Sequence, residues 1–562
     1  MKNWRINIVF LLFLFLAAAI VVKLYIVQIE KGDYYEAMAQ GQQFSFQEVQ
    51  GERGNIFLQK NNLSLAQTKI KNIIYLFGEK IIEGLREEEN PEQKLETLAY
   101  VLGEEKKDIV FILEEQEVLK KEISDENLQL IKEENIKGVY FDSIFSRFYP
   151  EKELASHVIG FVNEEGEGQY GIEGYYDNLL KGNEAINQKG KSPFGYLTFF
   201  LDTEERNVSS QGVNLFLTLD NNIQYFAEKL LKQAKEDWDI DSGQIIVSDP
   251  ITGKILALSH FPAFDSNNYS SQKDFGIFLN KIIQEPFEPG SVFKPITMAA
   301  ALEENLVTPE TKYIDKGCID VGGPPICNFE KRIWGEQTMV DVLEESINTG
   351  AVFLEQELKK TLFLKYLEKF GFFEKTDVDL QGEVFSKNKT LKNGYPRDFA
   401  TASFGQGVQV TSIQLIRAFS AISNGGKLMK PYVVEKIVKS NQEELKIIPE
   451  VQGQAISENT ASKLTSMLIS VIENGAGRRA QIDGYFIAGK TGTAQVPIKG
   501  GYSEDKTIQT FIGYFPAFSP KIVIFVKLDN PKEVKTSAYS AVPLFRELAK
   551  YIIDYLEIPP SY

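Results

Sequence analysis

A serine and a lysine stand three residues apart in Ser291-Val292-Phe293-Lys294, directly after Glu288-Pro289-Gly290. If a helix begins at Ser291, the two side chains lie nearly one turn apart and share a face, so an amine sits beside a hydroxyl. A serine is a weak nucleophile until a base takes its proton. A lysine becomes that base only when desolvation or a neighbouring cation lowers its pKa. A helix start also leaves backbone N–H groups unpaired, which suits a developing oxyanion. The spacing alone is weak evidence, because Ser270…Lys273, Ser386…Lys389 and Ser503…Lys506 repeat it. Ser346-Ile347-Asn348 offers a second hydroxyl and an amide. In isolation it reads as a helix cap or turn, and Ser266, Ser386 and Ser457 open further S-x-N triplets. Lys490-Thr491-Gly492 occurs once. The apolar residues Tyr485–Ala488 before it predict an edge strand that presents Lys490, Thr491 and Thr493. A cation with hydroxyls suits a substrate carboxylate, and Lys490 beside Lys294 would depress the latter's pKa by like-charge repulsion. Gly492 is expected to let a substrate backbone approach closely.

Two rival chemistries share these residues. Gly484 to Thr491 satisfies G-x-x-x-x-G-K-[ST], the formula of a phosphate-binding loop. Its four middle residues are bulky and apolar, and Gly492 and Pro497 bracket poor helix material where a phosphate cradle needs a helix N-terminus. A Ser-His-Asp hydrolase lacks its G-x-S-x-G setting, and the only histidines are His157 and His260. So few histidines also make a His/Cys metal site improbable. The net charge of −17 repels phosphate backbones and argues against nucleic-acid binding. Cys318 and Cys327 lie among turn-forming residues and either close a short loop or stay separate thiols.

The elements that must position these residues come from the rest of the 562-residue chain. Lys2 and Arg5 precede an apolar run from Ile6 to Val22 that continues to Val27. That is long enough to span a bilayer, with the N-terminus cytoplasmic and the remainder exported. Ala17-Ala18-Ala19 offers the competing reading of a cleaved signal. Residues 31–200 alternate short apolar stretches, Ile70–Phe77 and Gly138–Phe145, with charged helical patterns around Ile82–Glu126. Asn183–Ser192 loosens the pattern near a boundary. From about Gly212 the texture changes. Strands are expected at Leu215–Leu219, on both sides of Pro250–Gly253, and at Gly484–Ala488, Gln509–Tyr514 and Ile522–Leu528. Helices are expected at Asn222–Lys235, Ser291–Glu304, Asp341–Leu358, Ser412–Ser423, Ser457–Glu473 and Ala541–Leu556. Strands at both ends with helices between describe an α+β domain whose sheet pairs distant segments.

The order S-x-x-K, S-x-N, K-T-G resembles that of β-lactamases and penicillin-binding proteins, with Ile347 in the middle position. The surroundings resemble class B penicillin-binding proteins over most of the chain: Asn280-Lys281 to Ser291, Phe404-Gly405-Gln406-Gly407 with Val410-Thr411, Asn474 through Ala494, and Phe511 to Pro516. Upstream, Arg53-Gly54-Asn55-Ile56, Arg147, Tyr149-Pro150, Ala155 to Gly160 and Tyr170-Gly171-Ile172-Glu173 are similar to the family's pedestal signature. Gln59-Lys60-Asn61-Asn62 and Leu279 depart from it. The resemblance implies a penicilloyl-serine transferase domain at 206–562, a non-catalytic pedestal of the dimerisation type at 31–205, and a stub with a single transmembrane anchor at 1–30. It implies a peptidoglycan D,D-transpeptidase, with a division role favoured and an elongation role left open, and with Ser291 as nucleophile and Lys294 as its base. Ser346 would relay a proton, Asn348 would hold Lys294 and the substrate, and Lys490, Thr491, Gly492 and Thr493 would receive the terminal carboxylate. Stem peptides and β-lactams would be its ligands, a polytopic glycan polymerase its membrane partner, and no metal or organic cofactor is implied. The alternative is a non-catalytic penicillin-binding scaffold or sensor.

Overall fold

The structure, a computed structural model, describes residues 44–49, 52–58, 62–86, 90–115, 119–182, 185–190, 211–498 and 501–562. The apolar run Ile6–Val27 lies outside them. Among the described residues no helix is long and apolar enough to cross a membrane. The chain divides into two units. The described part of the first, which includes residues up to Arg53 and Lys181–Gly212, is an antiparallel pair of strands, Phe44–Val49 and Ala185–Gly190. The second comprises Gly54–Leu180 and Val213–Tyr562.

Within the second unit the segment before Leu180 builds on one long strand, Ser64–Leu76. It pairs antiparallel with Val139–Phe148 and Leu119–Ile123. The apolar stretches Ile70–Phe77 and Gly138–Phe145 supply this ladder. The charged helical patterns become helices Gly78–Arg86, Pro91–Leu102, Lys106–Glu115 and Asp125–Glu134, which bury Ile81, Leu98, Ile109 and Ile131 against it. At the other end of the sheet Ile56–Leu58 pairs parallel to Asn214–Leu217, joining this segment to the chain beyond Val213.

The scattered pedestal residues Gly54, Arg147, Tyr149 and Glu173 meet at one point. Arg147 Nε donates to Glu173 Oε1 at 2.6 Å, with both side chains buried. Arg147 Nη1 donates to Gly54 O at 2.8 Å, and Tyr149 Oη to Glu173 Oε1 at 3.3 Å. Removing one partner of a buried ion pair leaves the other charge uncompensated, which costs about 3–5 kcal/mol. Glu173→Gln is expected to lower unfolding stability by that order. Equal urea midpoints for wild type and variant would contradict the role.

The part of the second unit beyond Val213 is organised by a five-stranded antiparallel sheet. In chain order its strands are β1 (Ser242–Ser248), β2 (Ile255–Phe261), β3 (Ala488–Ile498), β4 (Gly501–Phe515) and β5 (Ile522–Asp529). Their spatial order is β2-β1-β5-β4-β3, so β3 is an edge, as expected for the strand carrying Lys490. The inner strands read as continuous apolar runs because both faces are covered. On one face Ile245, Val247, Ile524, Val526 and Phe511 pack with helix Asn221–Trp238 and with helix α5 (Ala541–Tyr555). On the other, Ile246, Val523, Phe525 and Ile512 pack with helices that include α1 (Lys294–Glu303), Ser412–Ser423 and α4 (Glu458–Glu473). Most expected elements appear within a few residues. Two exceptions matter. The strand expected over Gly484–Ala488 begins only at Ala488, because Asp483–Gly484 form a turn, Gly484 with φ +84°. The helix expected over Asp341–Leu358 is broken into α2 (Met339–Glu344) and α3 (Asn348–Lys369). α3 is itself interrupted at Lys359 (φ 59°).

Candidate active site

The turn that carries Ser291 is pinned by the Phe404–Gly407 segment. Ser291 lies in a 3₁₀ turn, Gly290–Phe293, that runs directly into α1. Gly290 N donates to Gly405 O at 3.0 Å. A Cβ at Gly405 (φ +83°) would lie 2.2 Å from Gly290 O, so the Phe404–Gly407 segment needs glycine to hold the turn this closely. Val292 and Phe293 are buried, while Ser291 is half-buried. Lys294 begins α1 and is completely buried.

The break between α2 and α3 delivers the second motif. Ile347 is buried, and its N–H returns to Val342 O at 3.0 Å. Ser346 adopts φ +55°, a left-handed conformation that an ordinary residue holds only when its surroundings over-determine it. Lys294 Nζ donates to the Ser346 carbonyl, lies 3.2 Å from Ser346 Oγ and donates to Asn348 Oδ1 at 2.9 Å. The third motif closes the cluster. Lys490, also completely buried, donates from Nζ to Ser346 Oγ at 3.0 Å and contacts Thr491 O and Oγ1 at 3.1 and 3.3 Å. One hydroxyl, Ser346 Oγ, therefore sits between two buried amines that are 196 residues apart in sequence (490 − 294).

Burial holds the Lys294 amine well below the ordinary lysine value, and the charge of Lys490 pushes the same way. Burial lowers Lys490 to about 7, with the Glu345 carboxylate acting against it. A neutral Lys294 has two N–H donors, and Ser346 O and Asn348 Oδ1 take both. Its lone pair is left to accept a proton from a neighbouring hydroxyl.

Thr493 faces a different neighbour: its Oγ1 accepts from Ser537 N at 3.2 Å and lies 3.4 Å from Ser537 Oγ. Gly492 has an internal reason to be glycine: a Cβ there would lie 2.3 Å from Thr510 Oγ1 and 2.9 Å from Val292 Cγ1, so the Ser291 turn packs closely on the sheet at this point. The phosphate-loop alternative, already disfavoured by its apolar residues, does not fit either, because Lys490 and Thr491 lie within strand β3, which runs on to Ile498. His157 and His260 are buried against each other at 3.0 Å, remote in role from Ser291. Burial holds His157 near 4 and His260 well below its ordinary value.

The supporting residues begin at the two cysteines, one of whose open readings was a closed loop; Asn328, Thr349 and Asp315 carried no sequence signal. Cys318 and Cys327 are disulfide-bonded across a short strand pair. The Cys327 carbonyl accepts from Asn348 Nδ2 at 3.1 Å. The next residue, Asn328, accepts from Thr349 N at 3.1 Å and donates to both oxygens of Asp315 at 3.0 Å. Thr349 Oγ1 donates to Asp315 Oδ1 at 2.5 Å. This buried cluster fixes the start of α3, and with it Asn348. Asn328→Ala leaves Asp315 short of two hydrogen bonds and is expected to slow acylation by a β-lactam about tenfold. Stopped-flow kinetics with a fluorescent penicillin measures it. An unchanged rate constant would show that Asn348 needs no such support.

The comparisons agree with this geometry. Residues 243–550 match the family model of the penicillin binding protein transpeptidase domain, and residues 48–217 that of the penicillin-binding protein dimerisation domain. Stage V sporulation protein D of Bacillus subtilis is 33% identical over 528 residues, covering 91% of this chain and 79% of that protein. A peptidoglycan D,D-transpeptidase FtsI homolog of Mesostigma viride is 31% identical, covering 76% and 75%. Among solved structures, penicillin-binding protein 3 of Mycobacterium tuberculosis in complex with aztreonam aligns with a TM-score of 0.69 at 25% identity, covering 92% of this chain and 98% of that one. Penicillin-binding protein 2X of Streptococcus thermophilus aligns with a TM-score of 0.77 at 24% identity, covering 91% and 81%. The chain belongs to the penicillin-binding proteins, as a member of their class B. It is a serine-type transpeptidase of cell-wall synthesis.

Proposed function

We propose that this enzyme cross-links peptidoglycan through an acyl-enzyme on Ser291. Neutral Lys294 takes the Ser291 proton as Oγ attacks the penultimate D-alanine carbonyl of a stem peptide. Backbone N–H groups of Ser291 and Thr493 stabilise the oxyanion. Ser346 passes the proton to the leaving nitrogen, and the terminal D-alanine departs. Lys490, Thr491 and Thr493 grip the terminal carboxylate, and Asn348 holds both Lys294 and the substrate amide. An amine of a neighbouring strand then attacks the ester, forms the cross-link and returns the proton along the same path. β-Lactams acylate the same oxygen. The observation that carries this reading is Ser346 Oγ held between the two buried amines. Burying two lysines is expensive, and a non-catalytic scaffold has no use for them. Ile6–Val27 would anchor the protein with its catalytic domain outside the membrane, and a polytopic glycan polymerase would supply the strands.

The test is transpeptidation by the full chain in detergent. It uses a stem pentapeptide ending in D-alanyl-D-alanine as donor and a tetrapeptide amine as acceptor. One D-alanine released for each cross-link formed, both stopped by penicillin, is the expected result. A folded protein that binds penicillin covalently but releases no D-alanine would sink the catalytic reading.

A further inference from the structure

A second cationic site lies beside the catalytic strand. A cavity of about 520 Å³ opens between the segment Arg478–Asp483 and helix α5. Arg478, Arg479, Arg546 and Lys550 line it, with Asp483 and Glu547 as the opposing charges. Four cations against two carboxylates leave this cavity positive in a chain whose net charge is −17.

Its guanidinium groups are held in place by neutral partners. Arg546 Nε donates to Gln481 O at 2.8 Å, and Arg478 Nη2 donates to Asn474 O at 2.9 Å. Arg479 stacks 4.3 Å over the ring of Tyr539. Each arginine is oriented without its charge being neutralised, which is the arrangement that binds an anion at low ordering cost.

Two links tie the cavity to the active site. Tyr539, under Arg479, lies in the same short 3₁₀ turn as Ser537, which donates from its N–H to Thr493 Oγ1. On the other side, Ala476 N donates to Glu344 O at 3.0 Å, next to the Ser346 break. The cavity's lining is thus joined to strand β3 through the Ser537–Tyr539 turn and to the segment before Ser346 through Ala476.

We propose that this cavity is a subsite for a carboxylate of the peptidoglycan peptide other than the terminal one. The inference rests on the transpeptidase reading above. A volume of this order accommodates a side chain of a few heavy atoms. Asp483 and Glu547 would repel a polymer with many phosphates, while the arginine forks match a single carboxylate.

The test compares matched stem peptides that carry either a free side carboxylate or its carboxamide. The enzymes are the full-length wild type and the R478Q/R546Q double variant. Both arginines are exposed, so the fold should tolerate the change. Wild type is expected to show about a tenfold lower KM for the carboxylate form, equivalent to about 1.4 kcal/mol. The double variant is expected to lose that preference while acylating with benzylpenicillin at the wild-type rate. Retained acylation separates failure of this inference from failure of the Ser291 reading. A preference that survives in the variant, or is absent from wild type, overturns the subsite. Arginine-dependent competition by inorganic phosphate, with the two peptides treated alike, would instead assign the cavity to a phosphate ligand and also overturn it.

Discussion

Ser291→Ala is expected to abolish covalent labelling by penicillin, and Lys294→Ala to slow it by about three orders of magnitude or more. The two losses differ in kind. Without Ser291 no oxygen remains in the pinned turn, so no adduct should form at any time or concentration. Without Lys294 the nucleophile persists but has no base. The removed amine also leaves Asn348 Oδ1 and the Ser346 carbonyl without their donor. Intact-mass spectrometry followed by peptide mapping distinguishes the outcomes: no mass shift for the first variant, and a slow shift on the Ser291 peptide for the second. The pH profile adds a direction. Lys294 must be neutral to act, and burial together with Lys490 keeps its pKa depressed. Wild-type acylation should therefore rise with pH only on the acid side. On the alkaline side it should fall as Lys490, near 7 in the free enzyme, loses the charge that holds the ligand carboxylate. A labelled Ser291→Ala protein would refute the nucleophile. A Lys294→Ala protein acylating at the wild-type rate would refute the base.

How much of this was legible in the sequence follows from where each signal resides. The three motifs are local, and each reads in a few residues. The two-faced burial of β1 and β5 is also local, because it makes Ile245–Val247 and Ile522–Val526 uninterrupted apolar runs. The break at Glu345–Ile347 was legible in part: Ser346-Ile347-Asn348 by itself reads as a cap or turn, but Ile347 is buried and continues the apolar period, so the expected helix runs through it. The path of the backbone, with Ser346 at positive φ, decides for the turn. The internal constraint at Gly492 was hidden for a related reason: a strand glycine announces a close approach, but not that Thr510 and Val292 make it. The support for Asn348 lay outside sequence reasoning altogether. Its acceptor is a backbone carbonyl, Cys327 O, and the carboxylate steadying the neighbouring Thr349 is Asp315, 34 residues away. Neither a carbonyl nor a long-range pair leaves a pattern along the chain. The pairing of the two cysteines was one of two open readings, because spacing does not determine Cα separation.

Lys490→Met is expected to destroy acylation by carboxylate-bearing β-lactams and, at the same time, to stabilise the fold. Lys490 is completely buried, and burial lowers its pKa from 10.5 to about 7. That displacement corresponds to about 5 kcal/mol of folding free energy lost to desolvation. Hydrogen bonds to Ser346 and Thr491 offset part of it, at about 1 kcal/mol each. A methionine of similar length carries neither the cost nor those bonds, so a net gain of about 2–3 kcal/mol is expected at pH 7. The sign of its pH dependence is fixed by linkage. Between pH 7 and 10.5 the unfolded lysine binds a proton that the folded one has lost, so wild-type stability rises with pH across that window. The variant lacks this contribution. Its advantage should therefore be greatest at or below pH 7 and shrink towards pH 10.5. Urea unfolding of both proteins at pH 7 and pH 10 measures the difference, with other titrating groups cancelling between them. A variant less stable than wild type at pH 7, or a difference that does not change with pH, would mean that Lys490 is stabilised in place by more than Ser346 and Thr491. The depressed amine would then not be the reserve of strain from which this site draws its reactivity.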